Sequence, residues 1–150
     1  MAQELFQPSL KAGDLAAKSY DINKFLYVAF FGGVLPMVVL GTLNARWLRV
    51  DKKLVNIMLG LGVVALLAEI IMWGLILDGY LSLQNRGLRW IFRAAALLLY
   101  LGYARILKPK FQQHVLTEGE IKPLLKDAIV WSLVGAIVAV GGGFIVKYVL

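Results

Sequence analysis

The chain contains no cysteine, a single histidine, four prolines and nine carboxylates in 150 residues. Without cysteine there is no disulfide, no thiolate metal site, no cysteine nucleophile and no iron–sulfur ligation. One histidine, His114, cannot build a bis-histidine haem or a histidine-rich metal centre, so no metal and no cofactor is expected. Ser9, Ser19, Ser82 and Ser132 have no His–Asp partnership, because His114 falls in a basic connector, and no catalytic set emerges. Charged residues make up 17% of the chain, well below the roughly 25% of an ordinary soluble domain.

What fills the chain instead is apolar. Hydrophobic residues reach 60% and the mean hydropathy is +0.75. The excess lies in four runs, 25–43, 54–77, 88–107 and 128–146. Each is about 20 residues long, the length a helix rising 1.5 Å per residue needs to cross a ~30 Å hydrocarbon layer. The expected fold is all-α: a four-transmembrane-helix bundle forming one membrane domain over 25–150, preceded by a polar tail over 1–24. The acids Glu4, Asp14 and Asp21 in that tail do not fit a cleaved signal peptide.

Punctuation within the runs adds detail. Gly32-Gly33 and Pro36 predict a kink in the first helix, since proline removes a backbone donor and clashes one turn back. Arg105 and Lys108-Pro109 are expected to close the third helix. The connector 108–127 mixes Phe111, Val115, Ile121, Leu124 and Leu125 with charged residues and is broken by Gly119 and Pro123. It reads as a short interfacial amphipathic segment, a helix pair lying on the membrane.

The net charge of +7 comes from cations that flank apolar runs. Membrane topology explains them more simply than phosphate tracking, so no nucleic-acid partner is expected. Connectors 44–53 and 108–127, with Arg105 at the edge, carry nine Lys and Arg; the tail, the connector between helices two and three, and the C-terminus carry six. By the positive-inside bias the two richer connectors are cytoplasmic and both termini lie outside.

Glu69 is the one carboxylate deep in an apolar run. On a helical wheel it shares a face with Gly62, Ala65, Leu66, Met72 and Trp73, whose small members let a neighbouring backbone approach. An intramembrane charge costs from about 3 kcal/mol upward unless paired, protonated or hydrated. Arg93 is the expected partner, with Tyr100 on the same face as Arg93 and able to donate a second bond. The preferred reading is a buried ion pair fixing two helices in register. The sharper alternative is a titrating carboxylate that relays protons or binds a cation. Small residues recur at helical spacing: Gly135, Ala139 and Gly143 in the last helix, Gly33 with Ala29 in the first, Gly62 and Ala65 in the second. These serve internal packing or dimerisation.

Phe30-Phe31-Gly32-Gly33, Asn44 followed by Leu48 and Lys52-Lys53, and Gln112-Gln113-His114 with Gly119 and Lys122 ahead of Trp131 give the chain a likeness. It resembles small four-helix bacterial integral membrane proteins. The resemblance implies architecture only and carries over no functional residue; the expected location is a bacterial cell membrane. With packing surface abundant and no catalytic set, the expected function is non-enzymatic. The chain would act through helix–helix interaction in the bilayer, as a homo-oligomer or an accessory subunit of a membrane complex. The alternative is a small proton or cation channel or transporter using Glu69.

Overall fold

The computed structural model describes residues 18–82, 84 and 86–149; the first 17 residues of the tail lie outside it. Five helices account for most of the chain: α1 (Ile22–Gly32), α2 (Val34–Trp47), α3 (Lys52–Leu77), α4 (Arg86–Leu116) and α5 (Leu125–Val149). Two short strands, β1 (Lys18–Tyr20) and β2 (Glu120–Lys122), pair in parallel with Lys18 opposite Glu120 and Tyr20 opposite Lys122. Helices α3, α4 and α5, with 26, 31 and 25 residues, are long and apolar enough to cross a membrane. The four-helix expectation is corrected at the first run, which is two helices rather than one.

The break is at Gly33, whose φ of 84° and ψ of −160° fall in a region essentially restricted to glycine. Pro36 then lies in the first turn of α2, where the missing N–H would have had no helical partner anyway. The chain reverses rather than kinks. Lys24, at the start of α1, sits beside Leu124 and Leu125, whereas Gly32 at its end packs on Ser132, so α1 runs alongside α5. α2 returns antiparallel to α3, with Val34 at the level of Glu69 and Val38 against Gly62. The two pieces are a helical hairpin whose open ends share one end of the molecule and whose tip lies midway along the long helices. At 1.5 Å per residue Gly135, which faces the tip, is roughly 15 Å into α5.

α2 is the centre of the packing. Ten of its fourteen residues are buried, against 17–22% of the apolar windows of the three long helices. It contacts α3, α4 and α5, while α1 touches both α4 and α5. Tyr103 of α4 is fully buried and its hydroxyl donates to the Met58 carbonyl at 2.5 Å. Gly41 and Gly62 leave room for that ring: a Cβ on Gly62 would lie 2.6 Å from Val38 and 2.9 Å from the Tyr103 hydroxyl. The outer faces are apolar, with Leu61, Val64, Leu98, Leu133 and Ile137 more than half exposed.

The hairpin is clasped at its open end. Tyr20 N–H donates to Asn44 Oδ1 at 2.8 Å, Ser19 Oγ donates to the same oxygen at 3.0 Å, and Asn44 Nδ2 donates to the Tyr20 carbonyl. Residues expected on opposite sides of a membrane, in the tail and in connector 44–53, are therefore hydrogen-bonded to each other.

The third connector also departs from expectation. α4 continues through Pro109 to Leu116, because Leu107, Phe111 and His114 keep one face packed inward on either side of the proline. The expected interfacial helix pair is instead the last turns of α4, a reversal at Glu118 (φ 54°), and β2. His114 is buried and bonded to the Glu120 carbonyl at 3.1 Å, with its ring over Gly119 where any Cβ would collide.

Candidate functional site at the hairpin tip

The reversal at Gly33 opens a cavity of about 480 Å³ lined by the end of α1, Glu69 and Trp73 of α3, Phe92 and Arg93 of α4, and Ser132 to Val140 of α5. Glu69 reaches it across the start of α2. Its carboxylate lies beside Val34 at the α2 N-terminus, and a Cβ on Gly33 would lie 3.7 Å from Oε1. The first N–H groups of a helix lack intrahelical acceptors and carry the positive end of the helix dipole, so they suit a carboxylate.

Arg93 lies on the same cavity, but among the described residues no ion pair within 4 Å joins it to Glu69. Its guanidinium lies 4.9 Å from the centre of the Phe30 ring and 5.7 Å from that of Trp90. The expected Glu69–Arg93 pair is corrected accordingly: the two are brought to one cavity and held apart in it. The reason is the hairpin. Its tip inserts between α3 and α4, offering Glu69 a helix terminus and Arg93 an aromatic face. Tyr100 does not line the cavity; it packs partly buried against the core, and the tyrosine that bonds across helices is Tyr103.

The small residues are used internally. Gly33 is the hairpin tip. Gly62 admits Val38 and Tyr103, and Ala65 packs on the core. Gly135 faces Leu35 and Pro36, Ala139 is buried, and Gly143 backs onto Trp73 and the Gly74 backbone.

A second, apolar groove of about 520 Å³ runs outside the first, between α1 and α5, from Lys24 and Leu124 down to Phe31 and Leu133. Phe31, Gly32 and Ser132 line both, and Gly32 packs tightly on Ser132, so these residues form the wall between cavity and groove. Phe31 itself is 79% exposed. A carboxylate in such a place can exchange its helix terminus for a proton or a cation, whereas the guanidinium stays a fixed positive charge.

Sequence reasoning placed Trp73 on the Glu69 face but overlooked the lining aromatics Phe30, Phe31 and Phe92, and took Gly33 for a packing residue. The signal for the tip was present: Gly33 followed by Pro36 is a helix start, glycine as cap and proline in the first turn. It also missed a polar cluster at the open end. There the Tyr20 hydroxyl donates to Asp127, which pairs with Lys122 at 2.7 Å, and Lys122 lies over the Tyr20 and Trp47 rings.

Burial pushes the Tyr20 phenol up to about 12, the bond to Asp127 adding to it. The Asp127 hydrogen bond raises Lys122 above its ordinary range. Both folded-state values exceed the unfolded ones, so both contribute stability at neutral pH that is lost at alkaline pH; for Tyr20 the contribution is complete below about pH 10 and is lost as pH rises toward about 12. Thermal melts across that window should show the loss. Tyr20→Phe should lower neutral-pH stability by about 1 kcal/mol and shrink the alkaline loss.

Three long apolar helices and a helical hairpin whose second arm, α2, is buried among them define the architecture. No protein family, curated protein or solved structure matches this chain.

Proposed function

We propose that the protein is a small integral membrane transport protein in which Glu69, at the tip of a re-entrant hairpin, takes up a proton or a cation near mid-membrane. The observation that carries this reading is the Glu69 carboxylate on the α2 N-terminus inside a cavity. A break between two half-helices offers polar backbone groups at membrane depth without exposing them to lipid, and it serves ion and substrate sites. In proteoliposomes carrying a pH or cation gradient, the wild-type protein should support flux and Glu69→Gln should abolish it without loss of folding. Unchanged flux in the variant would overturn the reading.

In this reading α3, α4 and α5 span the bilayer, in keeping with a bacterial cell membrane, and α1–α2 enters and leaves by one face. Eleven of the sixteen Lys and Arg residues belong to that face, from Lys18 and Lys24 through Arg46–Lys53 to Arg105–Lys126, and three to the other: Arg86, Arg89 and Lys147. The positive-inside bias then makes the basic face cytoplasmic, residues 18–24 included, with the C-terminus outside. Because the chain has no native cysteine, single-cysteine labelling with an impermeant thiol reagent in intact cells is clean. Lys18→Cys and Lys53→Cys should be protected and Tyr80→Cys labelled. Labelling of Lys18→Cys together with Tyr80→Cys would restore a first helix that crosses.

A second reading is interaction alone, as a homo-oligomer or an accessory subunit. It draws on Gly60, Gly102 and Gly141, where an added Cβ would meet nothing within 4 Å. The other small residues singled out in the sequence are already used inside the molecule, which favours transport. Neither reading involves catalysis.

A further inference from the structure

We propose that the cavity at the hairpin tip binds a zwitterionic head, its ammonium group held by Glu69 and its anionic group by Arg93. This rests on the transport reading and adds the class of solute.

Two opposite charges line one cavity without neutralising each other. Glu69 lies at the α2 N-terminus, its Oε1 against Gly33, and Arg93 lies over the ring faces of Phe30 and Trp90. In a medium of low dielectric, charges left apart are costly, and a bound group that answers only one of them leaves the other uncompensated. A simple cation would satisfy Glu69 and be repelled by Arg93; a simple anion would meet the reverse. A ligand carrying both signs answers both. The aromatic walls suit the ammonium, which is drawn to ring faces, and a planar guanidinium suits a carboxylate or phosphate. The volume lies within the range of small-molecule sites.

The same head chemistry belongs to free apolar amino acids and to zwitterionic phospholipids, and the test separates them. The full-length protein in detergent is titrated with phenylalanine, its methyl ester (a cation) and its N-acetyl derivative (an anion), followed by tryptophan fluorescence, since Trp73 and Trp90 border the site. A second arm uses dihexanoyl phosphatidylethanolamine against dihexanoyl phosphatidylglycerol. In one arm the zwitterion should bind at least ~10-fold more tightly than its singly charged analogues, the cost of one uncompensated group. Glu69→Gln should remove the advantage over the anion, and Arg93→Gln the advantage over the cation.

Singly charged analogues binding as well as the zwitterion in both arms would overturn the proposal from the wild-type titrations alone, whatever the variants' folding. So would variants that weaken all analogues equally. Glu69-dependent flux without a zwitterion preference overturns this inference and leaves transport standing. A zwitterion preference without flux overturns transport and leaves the site.

Discussion

Gly33→Ala is expected to destabilise the folded protein by about 1–3 kcal/mol, the strain of holding a side-chain-bearing residue in a glycine-only conformation. The cause is isolated here. An added Cβ would meet only Glu69 Oε1 at 3.7 Å, an ordinary contact, so the backbone and not a clash carries the effect. Relief of that strain moves the start of α2 and takes the Val34 N–H away from Glu69; under the transport reading, flux falls as well. Gly60→Ala is the control. It lies mid-helix with open space around it and should gain about 0.5–1 kcal/mol from helix propensity. Unfolding of the two purified variants in the same detergent gives opposite signs if the tip is as described; a loss at both positions, or at neither, contradicts it.

Asn44→Leu is expected to cost roughly 3 kcal/mol and to release the hairpin from its clasp. The substitution keeps the volume but leaves the buried Tyr20 N–H without its acceptor, at about 1–3 kcal/mol, and removes the Asn44 amide from the Tyr20 carbonyl, while the Ser19 hydroxyl keeps that carbonyl as acceptor. Ser19→Ala removes one partner and leaves no orphaned donor, so its loss should stay near 1 kcal/mol. Denaturation midpoints rank the pair. A near-neutral Asn44→Leu would mean that the clasp does not hold the hairpin's open end.

The apolar runs, the helical class and three long helices are legible in the sequence, because hydropathy over ~20 residues is a strong signal. The first run defeats that signal. Its 25–43 stretch is as apolar as the others, yet hydropathy does not register whether Gly33 bends the chain or turns it round. That is decided by one pair of dihedral angles and by Asn44, 11 residues away, meeting Tyr20. Counting cations by connector carried the same error forward, placing the tail opposite its own hydrogen-bonding partner.

Glu69 and Arg93 were both identifiable as out-of-place charges, and both line the cavity. Their pairing was inferred from depth along neighbouring helices, which takes no account of a third element wedged between them. Most of the aromatic lining was hidden for a similar reason: Phe30 and Phe92 look like any lipid-facing residues until the hairpin tip gives them a cavity to face, whereas Trp73 was legible on the Glu69 face.

The parallel pairing of Lys18–Tyr20 with Glu120–Lys122 also bears on how the molecule is made. α1 and α2, at 11 and 14 residues, are each too short to settle across a bilayer alone. The strand that pairs with β1 begins 73 residues after the hairpin ends, at Glu120 against Trp47. A chain cut short before Lys122 would keep the Asn44 clasp but would lack β2 and α5, the last-made helix on which α1 packs, and that side of the hairpin would stay uncovered.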